Sequence, residues 1–413
     1  MTRIPKLARN VLVGCVATYL LIALTLAILV QQGVIERAPP TPKGPVGDDS
    51  IPDELPNKDI ETRLTMAQGF VYDRLARDDG HVDLYYYPSG NASHPDATDT
   101  NSEAASYYLL WTAQAGDKAA FDSELAFIKQ HMIHPSTGHM MWRLEGNDSV
   151  ITDGANIASD ADLRAIKALL IAEKRWKDPA YTAAIDGLAQ GLETVAITSD
   201  GYLAPYGNGP KENPWRAQEV WISYADFTVT KELAHRRGEP WITLDRKMRE
   251  AALGGQIHNG LFNSELTATR AYGNGIDGGV YSINSMWIMI RMAESDDPAL
   301  RAAANRSLEF YRQKEMVDGQ LFATYGSNGD ALSPDDTPWV YALVGRAAAA
   351  LDDEAFADEM VRQLLAKQVN DPRSPLEGSF AEGSGRDLRA GQFTMQESIL
   401  TMQEYLAMRE RIR

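Results

Sequence analysis

Two acidic residues, Glu103 and Asp160, stand out because each opens an apolar helical run. Glu103 lies in Thr100-Asn101-Ser102-Glu103-Ala104-Ala105-Ser106-Tyr107, and Asp160 in Ala158-Ser159-Asp160-Ala161-Asp162-Leu163. Each precedes apolar residues at i, i+3, i+4 spacing, so each carboxyl falls in the first turn of a helix. Aromatic residues recur around both segments: Tyr107, Tyr108, Trp111, Trp142, Tyr202, Tyr206, Trp215, Trp221, Trp287 and Trp339. Carboxyl groups beside flat rings are the equipment of sugar binding and glycosidic cleavage. One acid protonates the leaving oxygen, a carboxylate activates water, and rings stack on the apolar faces of the sugar. The same acids would also serve as helix N-terminal caps worth about 1 kcal/mol, and the aromatics as core. Residue type and position alone leave both readings open.

The elements that would position these groups show as a repeat. A glycine followed by bulky residues recurs at Gly80, Gly138, Gly201, Gly260, Gly319 and Gly378, with spacings of 58, 63, 59, 59 and 59 residues. A fixed period of this kind marks a repeat architecture. Between glycines the pattern is helical, in pairs at 101–115 with 117–133, 158–176 with 178–196, 216–237 with 240–254, 280–296 with 297–315, and 335–352 with 353–369. Asp178-Pro179 and Asp297-Pro298 read as helix starts. A helix at 57–77 precedes the first glycine and one at 392–411 follows the last. Twelve helices in six hairpins predict an all-α fold, a closed (α/α)6 toroid over residues 57–413. An open solenoid would want polar terminal repeats, which the amphipathic end helices do not supply. Glu103 and Asp160, about one repeat apart, then become neighbours at one end of the ring.

The N-terminal part reads differently. Residues 11–30 carry no charge, enough to span a bilayer as a helix. Arg3, Lys6 and Arg9 precede them, which by the positive-inside bias leaves residues 1–10 cytoplasmic and the remainder outside. The stretch is longer than a signal peptide's apolar region and lacks a small-residue cleavage site, so an uncleaved signal anchor is expected. Residues 31–56 hold Pro39, Pro40, Pro42, Pro45, Pro52 and Pro56, a stiff spacer. With 40 basic against 57 acidic residues the net charge is −17, a poor match to nucleic acid or polyanionic glycans. Neutral or cationic polysaccharide suits it better. The single cysteine, Cys15, excludes an intramolecular disulfide and a Cys-cluster zinc site.

Ser102-Glu103-Ala104-Ala105-Ser106-Tyr107 with Ala115-Gly116-Asp117-Lys118-Ala119-Ala120-Phe121-Asp122 resembles the acid-bearing segment of glycoside hydrolase family 8. Ala158-Ser159-Asp160-Ala161-Asp162 through Ala168-Leu169-Leu170, Ala172 and Trp176 resembles the same family's signature helix. The family contains endoglucanases, xylanases and chitosanases on an (α/α)6 barrel. The resemblance implies Glu103 as general acid, Asp160 holding the sugar at the cleavage subsite, and Asp162 in support. Ala104-Ala105 and Ala165-Ile166 depart from the family pattern. So does Gly279-Val280-Tyr281-Ser282-Ile283-Asn284, where Ser282 stands at the place of the usual base aspartate. A serine cannot be that base at neutral pH, which leaves Asp277 as its substitute and Glu265 as the alternative.

The expected protein is therefore a membrane-anchored, outward-facing, endo-acting hydrolase of β-linked polysaccharide, inverting at the anomeric carbon. Tyr107, Trp142, Asp162, Tyr202, Trp215, Tyr281 and Trp339 are its expected glycan contacts. No metal or organic cofactor is implied. The rival is a non-catalytic glycan-binding subunit of an exopolysaccharide synthesis or export machine, for which Ser282 is the best support. A polysaccharide lyase on the same toroid is a further alternative. Gly273-Asn274-Gly275-Ile276-Asp277-Gly278 spells a dinucleotide fingerprint, but no strand–helix context surrounds it. His131, His134 and His139 cluster without the spacing of a metal site.

Overall fold

The computed structural model describes residues 51, 55–91, 94–151 and 154–413, which fall within one unit, Val46–Arg413. Twelve helices follow one another among them. They are α1 (Asn57–Arg74), α2 (Ser102–Ala115), α3 (Lys118–Phe127), α4 (Ser159–Trp176), α5 (Pro179–Val195) and α6 (Phe227–Arg237). Then come α7 (Trp241–Gly255), α8 (Ile283–Ala293), α9 (Pro298–Asp318), α10 (Pro338–Ala350), α11 (Glu354–Leu365) and α12 (Gln392–Ile412). The even-numbered helices pack in order, α2 on α4, α4 on α6, and so on to α12, which returns to α2. That closes an inner ring of six. Each odd-numbered helix packs outside, with α1 against α12 completing the sixth hairpin. Asp178 and Asp297 cap α5 and α9 as expected, accepting from the amides of Ala180 and Ala299 at 2.9 and 2.8 Å.

The repeat glycines occupy the outer-to-inner connections, and all six take positive φ, from +69° at Gly319 to +98° at Gly80. The bulky residue two positions on is buried each time: Val82, Met140, Leu203, Phe262, Leu321 and Phe380. These connections lie at the end of the ring where the inner helices begin. Nine two-residue strands pair among the loops there. Of these, β1 (Tyr85–Tyr86) pairs with β9 (Ala390–Gly391), tying the first loop to the last.

The largest departure from expectation is at 216–226. The sequence predicts helix from 216, but the chain forms β5 (Trp215–Arg216), β6 (Val220–Trp221) and a 3-10 turn (Ile222–Tyr224) before α6 begins at Phe227. Asp226 explains the boundary, because its carboxylate caps α6 by accepting from Thr228 and Val229 at 3.1 and 3.2 Å. The outer helix expected over 117–133 also changes character, with α3 giving way to a π turn at Ile128–Met132. The expected anchor at 11–30 and nearly all of the spacer lie outside the described residues. Among the described residues no helix is long and apolar enough to cross a membrane.

Two glycines separate backbone conformation from packing. A Cβ at Gly319 would meet nothing within 4 Å, whereas one at Gly260 would lie 2.5 Å from the Arg306 carbonyl oxygen. Gly319→Ala should cost about 1–2 kcal/mol for the left-handed conformation alone, and Gly260→Ala a further ~1–3 kcal/mol for the collision. Urea denaturation of the two variants should show that order.

Candidate active site

Glu103 and Asp160 sit in the first turns of α2 and α4, two inner helices packed against each other. Both therefore face the same mouth of the ring, at helix ends whose dipoles favour negative charge. Glu103 is partly exposed, while Asp160 is 5% exposed. One Asp160 oxygen is ion-paired with Arg164 at 2.7 Å, and the other is buried without a partner in the protein. The Glu103 carboxyl is pushed up to about 7. Burial is the chief cause and the Asp160 charge the next, with Arg164 and a hydrogen bond from Trp142 pulling the other way. Glu103 is thus a carboxyl group pushed toward its protonated form, beside the ion-paired Asp160 and its free oxygen.

Asp277 ends a 3-10 turn (Gly275–Asp277) and is half-buried. Asn284 donates to one of its oxygens at 2.8 Å, and the other oxygen has no partner. Burial raises its pKa, and the neighbouring Glu265 charge adds to that. Asn284 in turn accepts from Ser223 at 2.6 Å. Ser223 precedes Tyr224, whose phenol lies in the field of Asp160 and Glu103. Asp277 is thus joined through Asn284 to the turn that carries Tyr224, a residue within the field of the acid pair. Glu265, in β7 (Glu265–Leu266), accepts the Gly275 amide at 2.8 Å. The glycine-rich sequence at 273–278 therefore cradles a carboxylate of its own chain. Ser282 donates to the Ala323 carbonyl at 2.9 Å and serves the start of α8.

The other expected contact residues divide by setting. Trp142 is partly exposed and touches Glu103. Trp215 is 48% exposed and begins an edge-to-face series, Trp215–Tyr206–Trp221–Tyr224, with centroid separations of 6.2, 5.9 and 5.0 Å. This series runs from solvent to the acid pair, and the Trp221 indole nitrogen in it has no partner. Trp339 lies 6.4 Å from Phe393, which also contacts Trp287 and Tyr107.

Four others are built into the protein. Tyr107 is 1% exposed, with the Arg164 guanidinium over its ring at 3.8 Å. Tyr281 is 7% exposed, its hydroxyl on Asn263 and its backbone paired with Tyr325. Tyr202 carries Lys247 and Arg270 against its ring, each at 4.8 Å. Asp162 is fully buried and accepts the Met140 amide at 3.1 Å. Equivalent positions in other repeats make the same bond, Phe262 to Ser285 and Leu321 to Tyr341, so the Asp162 carboxyl belongs to the fold of the repeat. Among the histidines, His139 is buried and pairs with the Ala155 carbonyl at 2.9 Å.

Sequence reasoning passed over Arg164, Tyr224 and Phe393, and read Glu397 as an acid opening the last inner helix, where capping explains it as well as a place in the cleft. Glu397 is fully buried, and takes the Tyr107 hydroxyl on one oxygen and Arg346 on the other. Arg164 carried a signal, since a basic residue four after Asp160 is on the same helix face.

The ring of six hairpins is shared with solved glycan-active proteins. It matches an α-amylase from Clostridium perfringens with a TM-score of 0.71, 22% identity, and coverage of 83% of this chain and 98% of that one. It matches a family 8 endoglucanase, Cel10 from Klebsiella pneumoniae, with a TM-score of 0.57, 17% identity, and coverage of 84% and 100%. Residues 91–296 match the family model for glycosyl hydrolases family 8, and the chain belongs to that family. An endoglucanase of Escherichia coli O157:H7 is 30% identical over 154 residues, 35% of this chain and 41% of the relative. A probable endoglucanase of Novacetimonas hansenii is 33% identical over 99 residues, 24% of this chain and 29% of the relative. The chain thus spans about two fifths or less of these relatives' length.

Asp162 gives a test of its setting. Burial holds its pKa well above the ordinary carboxyl value, so its contribution is fully present at low pH and is lost as pH rises toward the folded-state value. Asp162→Asn keeps the acceptor for Met140 and removes the titration. Its stability relative to wild type should rise between pH 4 and 8, whereas Asp162→Ala should lose about 1–3 kcal/mol at low pH. Denaturant midpoints across that pH range read both.

Proposed function

We propose that this family 8 protein hydrolyses a β-linked polysaccharide by single displacement with inversion. The observation that carries the reading is Glu103, a carboxyl group held neutral to about pH 7 beside the ion-paired Asp160. Glu103 gives its proton to the glycosidic oxygen as the bond breaks. Asp160 holds the sugar through its free oxygen. Asp277 takes a proton from water on the opposite face of the ring, its unpartnered oxygen being the acceptor. Inversion needs roughly 6.5–9.5 Å between the two carboxyl groups for that water.

The aromatic series from Trp215 inward supports a substrate that extends beyond the cleaved bond, and the relatives named as endoglucanases support endo action on it. The relatives named as endoglucanases support a glucan. The α-amylase carried by the same fold makes starch a necessary member of any substrate panel. Residues 11–30 are proposed as a membrane anchor that leaves the catalytic domain outside the cell, near polymer under synthesis or export.

Reducing-end release by the full chain from glucan, xylan, chitosan and starch is the test. Glu103→Gln should lose about 10²–10⁴-fold in kcat while still binding the polymer. Asp277→Asn should lose a similar factor, and Glu265→Gln should not. The reverse order would make Glu265 the base, unchanged turnover in all three would place the chemistry on other residues, and no release from any polymer by the wild type would leave a binding protein. The pH profile follows from the same groups. kcat/KM should fall above about pH 7 as Glu103 loses its proton. It should also fall on the acid side, below a base titration raised above the ordinary aspartate value.

A further inference from the structure

The reaction as proposed uses Glu103, Asp160 and Asp277 and gives no role to the arginine buried beneath them. Arg164 is 1% exposed, one helical turn after Asp160. Its Nη2 donates to Asp160 Oδ2 at 2.7 Å and its Nη1 to the Ser106 hydroxyl at 3.0 Å. Its flat face lies on the Tyr107 ring at 3.8 Å. Tyr107 is itself fixed, because its hydroxyl donates to Glu397, and Glu397 is gripped by Arg346 at 3.0 Å. Arg346 also holds Glu294 at 2.8 Å and Glu404 at 3.0 Å. The guanidinium is thus held on its edge by Asp160 and Ser106 and on its face by Tyr107, all from α2 and α4. Its Nε has no partner, and Tyr107 is anchored in turn through Glu397 and Arg346. A guanidinium makes fixed, planar contacts of this kind where an ammonium would not.

We propose that Arg164 is a positioning residue: seated on Tyr107 and Ser106, it holds the Asp160 carboxylate beside Glu103 with one oxygen turned free, and is the one cation in contact with the two acids. The inference rests on the hydrolase reading and adds to it. Charge balance is the reason. Two carboxyl groups share one buried cation, so one negative charge is matched and a second is not. The groups facing this cluster are Glu103 and Tyr107 from α2, Asp160 and Asp162 from α4, and Tyr224 from the turn before α6. Arg291 of α8 and Glu397 of α12 complete the set. All but Arg291 are neutral or negative, so Arg164 is the cation in contact with the pair.

Removing that charge makes the doubly ionised pair harder to form. In Arg164→Met or Arg164→Gln the titration of Glu103, which the Arg164 charge holds down, should move up by about one pH unit or more. It is read in two ways on the full chain: the alkaline limb of kcat/KM, and carboxyl ¹³C NMR titration of Glu103. Arg164→Lys keeps the charge but not the planar seat. Its alkaline limb should stay within about 0.3 unit while kcat falls about tenfold or more. A purely structural arginine would lower the yield of folded protein without moving either titration. A folded neutral variant with unmoved titrations overturns the proposal, as does Arg164→Lys with wild-type kcat. If no polymer is cleaved, the NMR titration alone decides the role of Arg164, while the hydrolase reading falls separately.

Discussion

The structure depends on a column of buried charge enclosed by the inner ring. Arg164, Arg346, Arg291 and Lys167 alternate there with Asp160, Glu397, Glu294, Asp226 and Glu404. The ions come from five of the six inner helices, α4, α6, α8, α10 and α12, and the Tyr107 hydroxyl ties in α2 through Glu397. Each ion is affordable in this setting only because its neighbours answer it, and deleting one partner of such a set typically costs about 3–5 kcal/mol. Against the cost of burial, Lys167 and Arg291 hold the Asp226 carboxyl well below the usual range. At the mouth Glu103 adds a carboxyl with no cation of its own.

That imbalance is what turns a structural column into a site. Farther down, Glu294 is drawn well below the ordinary glutamate value because three cations outweigh its burial. At the mouth, burial and the Asp160 charge outweigh Arg164 and Trp142, and Glu103 keeps its proton. One fold thus holds carboxyl groups in opposite states within the same ring. The α2 and α4 N-termini set the place, and the cation count sets the protonation. The aromatic series from Trp215 to Tyr224 reaches the same mouth from solvent, so the polar and stacking requirements of a glycan meet there.

Much of this was legible in the sequence. The six glycines marked the outer-to-inner turns, and Asp178 and Asp297 marked helix starts, because both depend on local backbone chemistry. Glu103 and Asp160 were legible because each opens an apolar helical run one repeat from the other. The segment 216–226 was not, since its apolar residues suit a helix face as well as β5, β6 and the 3-10 turn; only the Asp226 cap separates them. Tyr107 was legible as an aromatic near the acid but not as the seat of Arg164, a contact made between two inner helices. Glu397 read equally well as a helix-end acid, and its partners Tyr107 and Arg346 lie 290 and 51 residues away. Long-range pairing of buried ions leaves no mark in local pattern.

The stereochemistry of the first-formed product tests the account most directly. Proton NMR of a fresh digest of a soluble β-linked oligosaccharide resolves the anomers before they interconvert. An acid at Glu103 and a water-activating carboxylate on the far face predict that the new reducing end appears first as the α-anomer. First appearance of the β-anomer would mean a covalent intermediate on a carboxylate beside the sugar, and would contradict the roles assigned to Glu103, Asp160 and Asp277.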